Sequence, residues 1–195
     1  MSAMEIWIEL MILQTIIGYC FVLANVFIGM YNISDLNLMK GDLSIVKYHK
    51  RFGWVEITIF YALFAQCMYM LTQHIAISDP YLVTPSSLWS HTWIGGLIAT
   101  LLVTLKFIVA RFKKDSIYKY GMYLGPIGFL GWSLSHWTSL YNFYFHSGII
   151  PIIVPNSFIW AAIIPFFGGV GLFLLVLFKR GALIKEKTRF AFNQI

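Results

Sequence analysis

The chain has 195 residues, of which 59% are hydrophobic and only 11% are charged, and its mean hydropathy is +0.74. So little polar surface cannot cover a water-soluble globule, which excludes a soluble domain and predicts an integral membrane protein in contact with a lipid bilayer. The net charge of +6 does not indicate a nucleic-acid partner, because the charged residues are concentrated beside apolar runs.

Five apolar runs are long enough to cross a hydrocarbon core, which needs about 20 residues of helix. They cover approximately residues 6–30, 53–74, 91–112, 120–141 and 158–178. The connections between them are too short for a separate soluble domain. Residues 1–195 are therefore predicted to form a single all-α transmembrane domain with five helices.

Basic residues predict the orientation of these spans. The 14 lysines and arginines fall into three groups: Lys40, Lys47, Lys50 and Arg51; Lys106, Arg111, Lys113, Lys114 and Lys119; Lys179, Arg180, Lys185, Lys187 and Arg189. The connections after the second and fourth spans contain none. Because positive residues are retained on the cytoplasmic side, we expect a multi-pass protein of the cell membrane, with its N-terminus outside and its C-terminus in the cytoplasm.

The first span has a polar face. Gln14, Gly18, Asn25 and Gly29 fall within about 60° of one another at 100° per residue. Polar groups are costly in lipid, so this face is predicted to point at protein.

The second span has a polar stripe made of His49, Glu56, Cys67 and His74, which are separated by nearly whole numbers of turns. Glu56 lies two turns inside the membrane and is expected to find its counter-charge in Lys106 of the third span. The alternatives are that Glu56 is protonated or that it serves as a proton relay.

Glycines accompany histidines on the third and fourth spans. His91 opens the third span and is followed one turn later by Gly95, whereas Gly125 and Gly128 share a face of the fourth span from which His136 is displaced by about 60°. Two interpretations stay open: close packing of helices, or a groove that admits a flat cofactor. The fifth span contains FFGGVG and no histidine, which indicates packing rather than chemistry.

Four of the five histidines gather at the predicted outer side, namely His74, His91, His136 and His146, while His49 lies at the inner boundary. Neutral imidazole without an acidic partner is a natural metal ligand. One hypothesis is a haem between His91 and His136, beside the glycines of those spans. The other is a copper or zinc site formed by three or four of the outer histidines.

Two segments resemble known families. LWSHTWIGGLIATLLVTLKFIVARF resembles the opening of a haem-ligating helix in the cytochrome b561 group, and YHKRFGWVEITIFYALF resembles helix openings of small membrane b-type cytochromes. This resemblance, over about residues 48–141, implies a four-helix core that binds haem b and exchanges electrons, often with quinone. It implies His91 as a ligand and His136 as its partner. A second haem on His49 would need Met122 or another subunit to complete it.

The histidines of the second and third spans also resemble those of small terminal-oxidase assembly membrane proteins, which have a further histidine where this chain reads KKDSIYKYG. The sequence therefore predicts a non-catalytic electron-transfer subunit that carries one b-type haem near the outer face and works with quinone or other subunits of a respiratory complex. The alternative is a non-haem accessory or assembly subunit whose outer histidines bind copper or line an interface.

Overall fold

The computed structural model describes residues 3–35, 44–77, 94–112 and 114–192. These residues contain helices and one irregular connection but no strand, which confirms the all-α prediction. A π-helical turn at residues 94–98 leads into the third helix. The five α-helices are α1 Ala3–Asp35, α2 Ser44–Ile77, α3 Ala99–Phe112, α4 Lys114–His146 and α5 Phe158–Phe192.

Four helical segments are long and apolar enough to cross a membrane: Ala3–Tyr31, Lys47–Met70, Ile94–Phe112 and Phe158–Arg180. They correspond to four of the five predicted spans. The remaining predicted span, 120–141, lies inside the continuous helix α4, but α4 is not among these four. Its sequence GWSLSHWTSLYN interleaves serine, threonine and histidine with aromatic residues, which lowers its hydropathy. Membrane crossing by the fourth predicted span, 120–141, therefore stays a prediction.

Helix α1 lies in the middle of the bundle, against α2, α4 and α5, and α3 packs mainly on α4. The Gln66 side-chain amide donates to Gln14 Oε1 at 3.0 Å, and Asn25 lies beside Gly53, so α1 and α2 are antiparallel. Asn25 is buried, and the fourth residue of the predicted polar face, Gly29, lies beside His49. The interior placement of this face is thus confirmed.

The two ends of the bundle differ in charge. One, which we call the basic end, has the exposed side chains of Lys47, Lys50, Arg51, Arg111 and Lys179. The other, the loop end, has the connection between α4 and α5, residues 147–157. The predicted topology assigns the basic end to the cytoplasm.

Glycines bring α5 into close contact with α1. A Cβ added at Gly169 would lie 2.6 Å from Leu23 Cβ and 3.2 Å from the backbone nitrogen of Ala24. Backbone atoms cannot rotate away, so glycine is needed at this position. The packing role predicted for FFGGVG is confirmed.

Gly169→Ala is expected to lower the free energy of unfolding by about 1–3 kcal/mol, because the added methyl group forces α1 and α5 apart. Gly171→Ala is the matched control, since a Cβ there would meet no described atom within 4 Å. It should leave stability unchanged or raise it slightly through the higher helix propensity of alanine. Reversible denaturation of the full chain in detergent measures both changes, and equal effects would contradict this account of the contact.

Candidate functional site

His136 lies in the interior of the bundle, on α4. Its side chain is 0% exposed. The ring of Tyr19 from α1 stacks on the imidazole at a centroid distance of 4.2 Å and an interplanar angle of 14°, and Trp137 approaches it edge-on at 5.6 Å. The Tyr19 hydroxyl shares a 2.8 Å hydrogen bond with Ser133 Oγ, which holds the phenol ring over the imidazole.

Neither ring nitrogen of His136 has a hydrogen-bond partner among the described residues. The Thr15 backbone lies next to the ring, but not in normal hydrogen-bond geometry. A buried polar group without a partner costs about 1–3 kcal/mol, so such groups are rare and call for an explanation. An imidazole held in this way is suited to coordinate a metal ion or haem iron.

The other candidate histidines are only partly described. His91 lies outside the described residues, and for His74 in α2 and His146 in α4 the structure describes the helix but not the side chain. His49 is exposed near the start of α2, at the basic end and far along the bundle from His136. Within the described part of the chain no three metal-ligating side chains come together.

The glycines beside the candidate site have different neighbours. Gly95 is buried in the π-helical turn, and a Cβ added at Gly125 would meet no atom of the described residues within 4 Å. At Gly128 an added Cβ would collide with the Lys106 side chain from α3, and at Gly131 it would lie 3.0 Å from the Ala99 carbonyl oxygen. At Gly128 and Gly131 the structure shows close packing against α3.

Glu56 and Lys106 form an ion pair between α2 and α3, as predicted. Lys106 Nζ lies 4.0 Å from Glu56 Oε2, and the carboxylate is buried. Lys106 reaches it by crossing the face of α4 where Gly128 leaves room. The side chain of Asn25 also interacts with the carboxylate, a contact that the sequence analysis did not foresee.

Glu9 is a second buried carboxylate, at the loop end. Its side chain is 0% exposed and accepts hydrogen bonds of 2.5 to 3.1 Å from the backbone N–H groups of Ile152, Ile153 and Val154. The sequence analysis missed this role. A carboxylate more than a turn inside an apolar helix was the available signal, because a charge at that position requires partners.

Tyr144 holds the same loop from α4. Its hydroxyl donates to the Pro155 carbonyl oxygen at 2.5 Å. Burial, and then the nearby Glu9 carboxylate, raise the pKa of Tyr144 to about 12, so the hydroxyl keeps its proton and remains a donor. The loop is thereby attached to both α1 and α4.

No protein-family model, curated protein or solved structure matches this chain.

Proposed function

We propose that the protein is a membrane-embedded electron-transfer subunit that binds one haem b near the loop end, and that His136 and His91 would hold its iron. The observation that carries this proposal is the fully buried imidazole of His136, whose ring nitrogens are both unpaired within the described residues. A neutral imidazole of this kind is suited to bind iron, and its position in a bilayer suits electron exchange with quinone or a partner subunit.

The residues around His136 would act as positioning groups. Stacking by Tyr19 restricts rotation of the imidazole, and the bond from Tyr19 to Ser133 keeps the phenol ring in place. Bound haem would supply one-electron transfer. The apolar surroundings would exclude water from the ligand.

The proposal includes the topology. All five helices would cross the membrane, with the basic end in the cytoplasm and the loop end outside. Support comes from the alternating helix directions, which bring the exposed lysines and arginines of α2, α3 and α5 to one end. The positive-inside rule then selects the orientation.

A second candidate function is a non-haem accessory or assembly subunit of a membrane metalloenzyme, with copper on the outer histidines or an interface lined by them. The favouring observation is that Gly18 and Gly128 face the side chains of Trp132 and Lys106, so neither glycine provides open space for a macrocycle.

Replacing His136 by leucine, which has a similar volume, is expected to abolish haem binding while the protein stays folded. The full-length protein should be purified in mild detergent, and its pyridine haemochrome spectrum and metal content measured. We expect about one haem per chain in the wild type and none in His136→Leu. His91→Ala should lose the haem as well.

His49→Ala is the matched control, because it removes an imidazole from the opposite end of the bundle and should retain the haem. Gel filtration and circular dichroism distinguish loss of haem from loss of fold. A colourless wild-type protein that contains copper would overturn the haem proposal and support the accessory subunit. Haem retained in a folded His136→Leu variant would exclude His136 as a ligand.

A further inference from the structure

A second group of unpaired polar atoms lies in the half of the bundle nearer the basic end. Glu56 of α2 and Asn25 of α1 are both more than nine-tenths buried, and the Asn25 side chain interacts with the Glu56 carboxylate. Glu56 Oε1 and Asn25 Oδ1 nevertheless have no hydrogen-bond donor among the described residues. The contact with Asn25 is a donation from its amide group to the carboxylate, so Glu56 Oε1 is a buried acceptor for which the described residues supply no hydrogen.

A proton on the carboxyl group would supply that hydrogen. Protonated Glu56 can still accept from the Asn25 amide through its C=O oxygen, whereas ionised Glu56 also has the Lys106 ammonium as its counter-charge. The separation of 4.0 Å is longer than a direct charge-assisted hydrogen bond, and the Lys106 side chain is 26% exposed, so the lysine does not hold the carboxylate tightly. Each protonation state therefore has a partner in the same cluster.

His49 connects this cluster to the basic end. It lies two turns before Glu56 on the same face of α2, a rise of about 10 Å. Its ring lies beside Gly29 and interacts with the backbone of Asn25, the residue whose side chain reaches Glu56. His49 as a whole residue is exposed. His49 and Asn25 thus lie between solvent at the basic end and the buried carboxylate.

We propose that Glu56 is a proton-binding residue that exchanges its proton with the basic end of the bundle by way of His49 and Asn25. A proton passes from water to the His49 imidazole, whose N–H bond then breaks, and water that enters past Asn25 delivers the proton to the Glu56 carboxylate. An O–H bond forms on Glu56, and no electron moves. Besides Glu56 itself, the charged group of this cluster is the Lys106 ammonium of α3, among the described residues. Helix α1 contributes the neutral Asn25 amide, and α4 faces the cluster with Gly128, which has no side chain.

Infrared difference spectroscopy of the full-length protein between acidic and alkaline pH tests this proposal. We expect a carboxylic-acid C=O band that appears as the pH falls, equivalent to one carboxyl group per chain, and that is absent in Glu56→Gln. Glu9→Gln is the control, because it alters the other buried carboxylate and should leave the band unchanged. Lys106→Met should make the band permanent, since the buried carboxylate loses its counter-charge.

Asn25→Leu supplies a second readout, because loss of the amide hydrogen bond to the carboxyl group should shift the frequency of the band without removing it. The proposal is overturned by the same band in wild type and folded Glu56→Gln, or by its absence from wild type over the whole pH range in which the protein stays folded. The measurement needs no haem, so its outcome is separate from that of the haemochrome test.

Discussion

Glu9→Ala is expected to release the loop between α4 and α5 and to lower the free energy of unfolding by about 3 kcal/mol. Three consecutive N–H groups, those of Ile152, Ile153 and Val154, would lose their acceptor. Hydrogen bonds to a charged group contribute about 1.5–3 kcal/mol each, and water would recover part of that in the variant. Irregular backbone at the edge of a bilayer requires such internal partners.

Limited proteolysis of the loop and reversible denaturation in detergent measure the two expected effects of Glu9→Ala. Glu9→Gln keeps one acceptor oxygen and should have an intermediate effect. Ile152→Ala is the matched control, because its side chain is exposed while its N–H is retained. If Glu9→Ala and Ile152→Ala were equally stable and equally resistant to protease, the role assigned to the carboxylate would be wrong.

Trp132→Ala is expected to lower the free energy of unfolding by a similar amount, about 3 kcal/mol, because it opens a cavity at the centre of the bundle. The indole is buried, makes an edge contact with Phe60 and fills the notch at Gly18, where an added Cβ would lie 2.5 Å from the ring. Van der Waals packing of this kind is a main driving force for helix association in membranes. Trp137 is exposed, so Trp137→Ala should lower the free energy of unfolding much less.

A double-mutant cycle isolates the contact between the notch and the indole. Gly18→Leu alone should destabilise the protein by overpacking against Trp132. In the double variant with Trp132→Ala, the leucine side chain occupies part of the volume that the indole filled. The double variant should therefore be more stable than the sum of the two single effects predicts. Simple additivity would show that Gly18 and Trp132 act independently.

The contact between Trp132 and the notch at Gly18 could not be predicted from the sequence. From the sequence, Gly18 belongs to the polar face of the first span, and no local pattern identifies the partner of Trp132. Only the packing of α1 on α4 brings the indole into the notch. The stacking of Tyr19 on His136 is of the same kind, because the two rings lie on helices far apart in the chain.

Composition and helical period determined the class of the protein, the positions of its helices and the buried face of α1. These properties are local, since they depend on residues within a few turns of one another. The Glu56–Lys106 pair could also be predicted from the sequence, because a buried carboxylate needs a counter-charge and the third span contains one lysine in its interior. The tertiary structure alone decided which distant groups meet: Glu9 accepts from Val154, 145 residues away, and Gly128 admits Lys106 because α3 packs against α4. Such contacts depend on how whole helices are arranged, and no periodicity within a single helix specifies that arrangement.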